Sequence, residues 1–181
     1  MPGDKGGTVI SDPLLLLVYR PASHCGGQIR RYGGILRETG GSAVNDDANG
    51  TVRRLNPSEL GEPPGYSQVV EIRASRMIFI AGQTSLDRTG ALVGKGNFAA
   101  QAEQVFRNLG IALQSVGCTA THLVKLTVFL RDMNNLAAYR EARKRFFATV
   151  RPPAAPAVTL VEVSKLYGAD FLIEIEAVAA I

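Results

Sequence analysis

The C-terminal segment "FLIEIEAVAA" contains two carboxylates in an otherwise apolar stretch. In a β-strand, Glu174 and Glu176 would share one side with Leu172 and Val178, while the isoleucines and most of the alanines take the other side. The segment "LVKLTVFLRD" places Lys125 on the corresponding face of another strand, where it could neutralise either carboxylate if the strands are neighbours. We therefore expect a half-apolar, half-charged sheet face, which is typical of a contact with another subunit.

Four side chains could in principle bind zinc, because sulfur and imidazole suit that ion. They form two pairs, His24/Cys25 and Cys118/His122, and neither pair has a strong spacing for a metal site. Two cysteines so far apart indicate free thiols in a reducing compartment and not a disulfide framework. We expect no metal, and we expect Cys118 and His122 to be structural residues at a helix-to-strand connection.

A cluster of basic residues raises the possibility of nucleic-acid binding. It consists of Arg140, Arg143, Lys144, Arg145 and Arg151. Glu141 interrupts the run, the aromatic residues nearby face inward, and no known nucleic-acid motif is present. The pattern therefore favours a solvated helix face over a nucleic-acid site.

Length and composition predict a single soluble domain. The 181 residues are 46% hydrophobic and 20% charged, which is enough apolar material for a sizeable core. The net charge of +4 arises after residue 50, since residues 1–50 carry five charges of each sign. This mild basicity is compatible with anionic metabolites or nucleic acid but demands neither.

No segment has the pattern of a membrane span or a secretory signal. The apolar run from Leu14 to Tyr19 covers six residues, far fewer than the ~20 that a membrane helix needs. It also lacks the basic start and small-residue cleavage site of a signal peptide. We expect a cytoplasmic protein that does not bind membranes.

The composition changes near residue 50. Residues 1–50 are rich in glycine, include "GGSAVNDDANG" and show no sustained periodicity. They are interpreted as a flexible extension, or as the product of a translation start assigned too far upstream. Residues 51–181 are interpreted as the folded domain.

Regular periodicity begins after Thr51. It predicts strands over about 69–73 and 77–81, a turn over 87–90 followed by a short strand, and strands over 124–130, 157–163 and 171–179. It predicts a first helix between Asn97, as N-cap, and Gly117, with eight residues facing inward. They are Phe98, Ala102, Val105, Phe106, Leu109, Ala112, Leu113 and Val116.

The second helix is predicted over about 134–149 and is stopped by a proline-rich stretch. Its inward residues are Leu136, Tyr139, Phe146 and Phe147. Two amphipathic helices can cover only one face of a single sheet. The element order therefore predicts an α+β two-layer sandwich.

Five segments, in this order and spacing, resemble the Rid family of reactive intermediate deaminases, also called YjgF-like proteins. They are "GYSQVVEI", "IFIAGQTSLDRTGALVGKG", "QAEQVFRNLGIALQSVG", "VKLTVFLRDM" and "LIEIEAVA". The resemblance covers roughly residues 52–181. It implies a chorismate-mutase-like fold with a six-stranded mixed sheet, two helices on one face, and a homotrimer whose sheets form a central barrel.

The resemblance also implies an activity. Family members hydrolyse small imine or enamine acids to 2-oxo acids and ammonia in clefts between subunits, with no metal or organic cofactor. The cleft tyrosine and glutamate are kept as Tyr66 and Glu174, which are the predicted catalytic residues. The predicted substrate-binding residues are Arg140, Ala81, Gly82, Val158 and Thr159.

Three of these positions depart from the family pattern. Ala81 replaces a residue that is often serine, Arg140 aligns with an asparagine, and Val158 aligns with the arginine of a "P-A-R-S/T" turn. A guanidinium can hold a substrate carboxylate through two parallel hydrogen bonds, and valine cannot. Losing such a contact costs on the order of 2 to 5 kcal/mol.

The acid-base groups remain. Glu174, with a pKa raised by partial burial, could activate water as a general base, and Tyr66 could donate a hydrogen bond. The resemblance therefore predicts a Rid-like hydrolase of enamine or imine intermediates with altered or reduced activity.

Three interpretations of Val158 remain open. Arg140 could have taken over anion binding, the substrate could lack a carboxylate, or catalysis could be lost. The last leaves a trimeric small-molecule-binding or chaperone-like protein, and a ribonuclease-type translation inhibitor is a further alternative.

Overall fold

Six strands and two helices form the part of the chain that the structure describes, a computed structural model covering residues 52–152 and 154–181. The strands are β1 (Val52–Leu55), β2 (Val69–Ile72), β3 (Met77–Gln83), β4 (Leu123–Leu130), β5 (Ala157–Glu162) and β6 (Ile173–Ala180). The helices are α1 (Phe98–Ser115) and α2 (Leu136–Phe147), and 3-10 turns at Ala120–His122 and Met133–Asn135 precede β4 and α2.

The strands form a two-stranded and a four-stranded sheet. The larger sheet has the order β3-β6-β4-β5, in which β4 and β5 are parallel and the other pairs are antiparallel. Both helices pack on the same side of it, around one apolar core. The α+β two-layer class is confirmed, but the six strands do not join into the single sheet that the resemblance implied.

The β1–β2 ribbon packs beside the larger sheet as a separate unit. Val52, Val124 and Ala180 form a second apolar cluster with partly buried residues of β2 and β6. The periodicity did not predict β1, because its four residues include Arg53 and Arg54. Burial of Val52 against the larger sheet, which is a tertiary contact, stabilises this strand.

The short strand predicted after the Asp87 turn does not form, because the residues that follow the turn make no ladder of β-bridges. The turn itself is present, since Asp87 Oδ1 accepts hydrogen bonds from the backbone of Thr89 (2.8 Å) and Ala91 (3.0 Å). Only an isolated bridge between Leu86 and Leu92 follows. The turn hydrogen bonds therefore organise this segment without extending it into a strand.

Helix α1 begins and ends where the sequence predicts. Asn97 Oδ1 accepts a hydrogen bond from Ala100 N (3.1 Å), and Gly117 adopts a φ of +74°, which favours glycine at a helix end. Six of the eight predicted inward residues are buried, while Ala112 and Val116 are half-buried.

A β-bulge changes the start of β4. Leu123 is opposite Ala179 on β6 and Lys125 is opposite Val178, so Val124 is the extra residue. Leu123 therefore packs in the core under the helices, and Val124 packs in the second cluster. The predicted alternation placed Val124 with Leu126 and was wrong at this one position.

The alternation predicted for β6 is confirmed. Ile173, Ile175, Ala177 and Ala179 are buried on the helix side, while Glu174 and Glu176 lie on the opposite side of the sheet, called the open face below. Lys125 lies on this face too, but its amine donates to Thr159 Oγ1 and forms no ion pair with a described residue. The predicted neutralisation of Glu174 or Glu176 by Lys125 is wrong.

Helix α2 buries Tyr139, Ala142 and Phe147, and the ring of Phe146 stacks on Phe106 of α1 at 5.0 Å between centroids. Within the described ranges, no helix is both long enough and apolar enough to cross a bilayer. The interpretation of residues 1–50 lies outside the described residues.

Candidate functional site

Val158 lies on the edge strand β5 at the mouth of a pocket of about 230 Å³ beside α2. The pocket, called the α2 pocket below, is lined by Pro64, Tyr66, Leu136, Tyr139, Arg140, Arg143, Val158 and Leu160. It brings together three residues that the sequence predicted for the site: Tyr66, Arg140 and Val158. Aliphatic side chains form part of the pocket lining, and the guanidinium groups of Arg140 and Arg143 form another part.

The proline-rich segment before β5 places Tyr66 in this pocket. Ser67 N donates to Pro156 O (3.2 Å), and Ser67 Oγ donates to Ala155 O (2.7 Å). Gly65, at a φ of +80°, turns the loop immediately before Tyr66. The two Ser67 hydrogen bonds tie the loop that carries Tyr66 to the segment just before Val158. They therefore hold Tyr66 and Val158 close together.

Tyr139 is the buried polar group of the α2 pocket. Its side chain is 1% exposed, and its hydroxyl has no hydrogen-bond partner of ordinary geometry in the structure. Burial raises the pKa of Tyr139, and the Arg143 cation opposes that rise. The hydroxyl oxygen is itself buried, so the polar group that acts on it is the Arg143 side chain of the same helix and not solvent.

The two arginines of the pocket differ in their contacts. The Arg143 guanidinium lies over the Tyr139 ring, 5.7 Å from its centroid, and donates to Pro64 O (2.6 Å). Arg140 is exposed and makes no hydrogen bond or ion pair with any described residue. Arg140 is therefore the pocket cation that is available to an anion.

Glu174 lies over Gly82 on the open face. A Cβ built on Gly82 would lie 1.9 Å from Glu174 Oε1, so the carboxylate occupies the space that any larger residue would need. The contact falls at a register shift between Ile80 and Gln83, where β3 bulges away from β6. Partial burial raises the pKa of Glu174, and the negative charge of Glu176 raises it further.

The predicted site residues form two groups in one chain. Val158 packs towards the helices, whereas Glu174 and Thr159 lie on the open face. Val158 is opposite Leu126, which is opposite Ala177, three residues along β6 from Glu174. Strand spacing and rise separate the Cα atoms of Val158 and Glu174 by about 14 Å. Within a single copy, Val158 and Glu174 therefore lie on opposite faces of the sheet and too far apart to contact one small substrate.

A larger pocket, of about 660 Å³, lies next to Gly82. Its walls include Gln83 and Thr84 of the segment after the bulge, Arg107 of α1, and Tyr167, whose hydroxyl is 2.9 Å from Thr84 Oγ1. Ala81, the residue before Gly82, is exposed on the same strand and accepts a hydrogen bond from Gln83 Nε2 (3.0 Å). This pocket lies on the helix side of the sheet, opposite to the open face that carries Glu174.

Within residues 52–152 and 154–181, no group of three or more His, Cys, Asp or Glu side chains is placed to hold a metal ion. Cys118 is a buried free thiol, and His122 Nδ1 accepts a hydrogen bond from Thr119 N (3.0 Å) in the turn before β4. Both residues lie at the helix-to-strand connection, as predicted. His24 and Cys25 lie outside the described residues.

Sequence reasoning treated Tyr139 as a core residue and Arg143 as a solvated one, and so missed both as pocket residues. Their spacing of four residues was the available signal, since it stacks two side chains on one face of a helix. The sequence could not show that Tyr139 would be buried without a hydrogen-bond partner, because this depends on how β5 and the Tyr66 loop pack.

The fold defines a small two-layer α+β protein with a pocket at the edge of its larger sheet. The sequence profile of the family described as Endoribonuclease L-PSP matches residues 58–181. The chain therefore belongs to this family, the Rid or YjgF family that the sequence motifs indicated.

Two relatives with different descriptions are similar to this chain over most of their own length. The RutC family protein slr0709 of Synechocystis sp. is 40% identical over 133 residues, covering 72% of this chain and 98% of that protein. The human 2-iminobutanoate/2-iminopropanoate deaminase is 36% identical over 114 residues, covering 63% of this chain and 78% of that protein.

Solved structures agree with the fold. YyfB of Yersinia pestis, from the conserved Rid protein family, superposes with a TM-score of 0.66 at 32% identity, covering 72% of this chain and 99% of that one. E. coli TdcF with bound serine superposes with a TM-score of 0.54 at 29% identity, covering 67% of this chain and 91% of that one.

Proposed function

We propose that this protein is a hydrolase of enamine or imine intermediates, with Glu174 as its general base and a substrate preference altered by Val158. The observation that carries the proposal is the placement of Glu174. It is a partly buried carboxyl with a raised pKa, held over Gly82 on the open face. A base with such a pKa exchanges protons with water more readily near neutral pH than an ordinary carboxylate does.

The separation of the two groups of residues supports a site between subunits. Tyr66, Arg140 and Val158 of one copy would meet Ala81, Gly82 and Glu174 of the next. The open face carries exposed apolar side chains suited to such an assembly, including Phe79 (76% exposed) and Met77 (51% exposed). A homotrimer, as the family resemblance implies, is the assembly that we propose.

The proposed reaction adds water across a C=N bond. Glu174 accepts a proton as the water oxygen bonds to the imine carbon, and the π electron pair moves to nitrogen, which takes up a proton. The carbinolamine then collapses with cleavage of the C–N bond, which gives the carbonyl product and ammonia. Tyr66 would donate a hydrogen bond to the bound substrate, and Arg140 would hold its anionic group in place of the arginine that Val158 replaces.

The deciding experiment measures imine hydrolysis with imines formed in situ, including a 2-aminoacrylate-type imine made by a dehydratase and neutral analogues. We expect weak turnover of the small 2-imino acid and near-complete loss of any turnover in Glu174→Gln. Glu176→Gln, which removes the same charge two residues away, is the control and should keep most activity. Equal loss in the two variants would remove Glu174 from the role of base.

A second variant tests the meaning of Val158. Val158→Arg should raise turnover of the 2-imino acid, because it returns a guanidinium to the β5 side of the α2 pocket. Fast turnover by the unmodified protein would show that Arg140 alone suffices as the anion-binding group.

The second candidate is a trimeric small-molecule-binding protein without turnover. Val158 favours it, because the pocket then binds without the clamp that fixes a carboxylate for attack. Saturable binding of small carboxylates, with no hydrolysis of any imine in the series, would establish this candidate over the first.

A further inference from the structure

A second cavity, of about 460 Å³, adjoins the α2 pocket on the outer side of α2. This basic cavity is lined by Pro64, Gly65, Arg140, Glu141, Arg143, Lys144, Phe147, Ala148, Arg151 and Ala154. Four of these side chains are cationic and one is acidic. Phe147 and Ala154 are buried apolar residues at its base.

The four cations are held to different degrees. Arg143 is fixed by its bond to Pro64 O, and Arg151 Nη1 donates to the carbonyls of Ala148 (3.1 Å) and Val150 (2.9 Å). These two guanidinium groups are therefore positioned before any ligand arrives. The side chains of Arg140 and Lys144 have no hydrogen bond or ion pair with a described residue.

The five basic residues that lie close together in the sequence do not all line the basic cavity. Arg145 does not line the basic cavity, since it forms an ion pair with Glu103 on α1. Glu141 lines the cavity but forms no ion pair with any described cation. Arg145 is thus neutralised by the protein itself, while the other four cations surround one cavity.

The basic cavity and the α2 pocket share Pro64, Arg140 and Arg143 in their walls. A ligand that enters one can therefore extend into the other past Arg140. Tyr139 lines the α2 pocket and does not line the basic cavity.

We propose that the basic cavity binds the phosphate group of a small phosphate-bearing ligand whose remainder occupies the α2 pocket. A phosphate monoester carries nearly two negative charges at neutral pH and offers three acceptor oxygens, which matches several converging guanidinium and ammonium donors. A single carboxylate would leave most of these donors unused. The proposal goes beyond the proposed function, because it concerns binding of a phosphate group and names no reaction.

A long nucleic acid fits the cavity less well. Binding of single strands relies on exposed aromatic side chains that stack on bases, and the aromatic residues here, Tyr139 and Phe147, are buried. The cationic side chains also converge on one cavity instead of forming a track along the surface. These features favour a small anion.

The test measures binding of O-phosphoserine, serine and inorganic phosphate to the full chain by isothermal titration calorimetry. We expect O-phosphoserine to bind more tightly than either of the other two. Lys144→Gln and Arg151→Gln should each weaken it about tenfold or more, as expected for loss of a charge-assisted hydrogen bond. Arg145→Gln makes the same charge change on the same helix and should leave the affinity within about twofold.

Tyr139→Phe tests whether one ligand occupies both the basic cavity and the α2 pocket. It should weaken O-phosphoserine and leave inorganic phosphate unchanged, because Tyr139 lines the α2 pocket, which holds the part of the ligand beyond the phosphate, and does not line the basic cavity. Equal weakening by Arg145→Gln, or equal affinity for serine and O-phosphoserine, would overturn the proposal. Tight binding of single-stranded RNA that falls steeply with salt, without saturable binding of O-phosphoserine, would also overturn it in favour of a nucleic-acid surface.

The result of the phosphate-binding test can be distinguished from the result of the imine-hydrolysis test. Glu174→Gln should bind inorganic phosphate as the unmodified protein does, because Glu174 does not line the basic cavity. Phosphate binding without imine hydrolysis would leave this inference standing and remove the proposed function, and hydrolysis without phosphate binding would do the reverse.

Discussion

At the scale of single residues, the contact between Gly82 and Glu174 determines where the proposed base lies. Glycine at this position leaves room for the carboxylate, and the bulge in β3 directs it over the strand. Glu176, two residues along the same strand, is exposed and has no such contact. Glu174 and Glu176 therefore differ in burial because of the residue that each side chain faces, and not because of their positions along β6.

Gly82→Ala should displace Glu174 without unfolding the protein. The new methyl group would overlap the end of a flexible side chain, which can rotate away at a cost of about 1 kcal/mol. We expect turnover to fall nearly as far as in Glu174→Gln, with circular dichroism and thermal stability little changed. Gly61→Ala is the control, since a Cβ there meets nothing within 4 Å. Unchanged turnover in Gly82→Ala would show that the carboxylate position is not important.

The raised pKa of Glu174 also affects stability. A carboxyl whose pKa folding raises binds more protons in the native state than in the unfolded state, so stability falls as pH rises from about its ordinary value of 4.5 through its native value. Glu174→Gln should therefore be slightly more stable than the unmodified protein near neutral pH. Because the side chain is partly solvated, the gain should stay below about 1 kcal/mol.

Denaturant unfolding of Glu174→Gln at pH 4 and pH 8 measures this difference. The gain should be larger at pH 8 and shrink at pH 4. A gain that is larger at pH 4 would contradict the direction of the pKa shift.

At the scale of elements, Gln101 joins α1 to both of its neighbouring loops. Its Nε2 donates to Gly94 O (3.2 Å) and Asp170 O (2.8 Å), and its Oε1 accepts from Leu172 N (2.9 Å). The side chain is fully buried, so these bonds replace water for three backbone groups. Gln101 thereby holds the start of β6, which carries Glu174, against the first turn of α1.

Gln101→Leu should destabilise the protein by about 2–5 kcal/mol, because it leaves three backbone groups unpaired in a dry environment. The midpoint of urea unfolding measures the loss. Gln114→Leu, at an exposed position near the other end of α1, should change stability by less than about 0.5 kcal/mol. Similar losses in the two variants would mean that the buried hydrogen bonds contribute little.

At the scale of the whole molecule, the open face is a surface that residues 52–152 and 154–181 leave uncovered. Phe79 and Met77 of β3 are exposed there, and Val161 of β5 is 39% exposed on the same face. The helices cover only the other face. The proposed trimer would bury this surface and at the same time bring Glu174 of one copy towards the α2 pocket of the next.

Phe79→Asp should dissociate the trimer and abolish hydrolysis while leaving each chain folded. Size-exclusion chromatography with light scattering measures the mass, and circular dichroism reports the fold. Ala99→Asp adds the same charge at an exposed position on α1 and should leave the trimer intact. A monomeric unmodified protein at micromolar concentration would contradict the assembly and the site between subunits.

Most of the fold could be predicted from local pattern. Asn97 and Gly117 mark the ends of α1 by capping and by a positive φ, and both preferences are local. The alternation in β6 likewise assigned its two faces. The bulge at Val124 and the strand at Val52 could not be predicted, because each depends on the other through a tertiary contact between β1 and β4.

For the site, the sequence predicted which residues carry the chemistry, namely Tyr66 and Glu174 as the acid-base groups, with Val158 aligned with the arginine of the family pattern. Motif spacing suffices for this, because residues in register with a family occupy equivalent positions on the same strands and helix. It could not determine what surrounds them. Only the tertiary structure placed Arg140 and the unpaired Tyr139 hydroxyl beside Val158, and separated Arg145 from the other cations. Both results depend on which surfaces pack together, which no local pattern of residue types specifies.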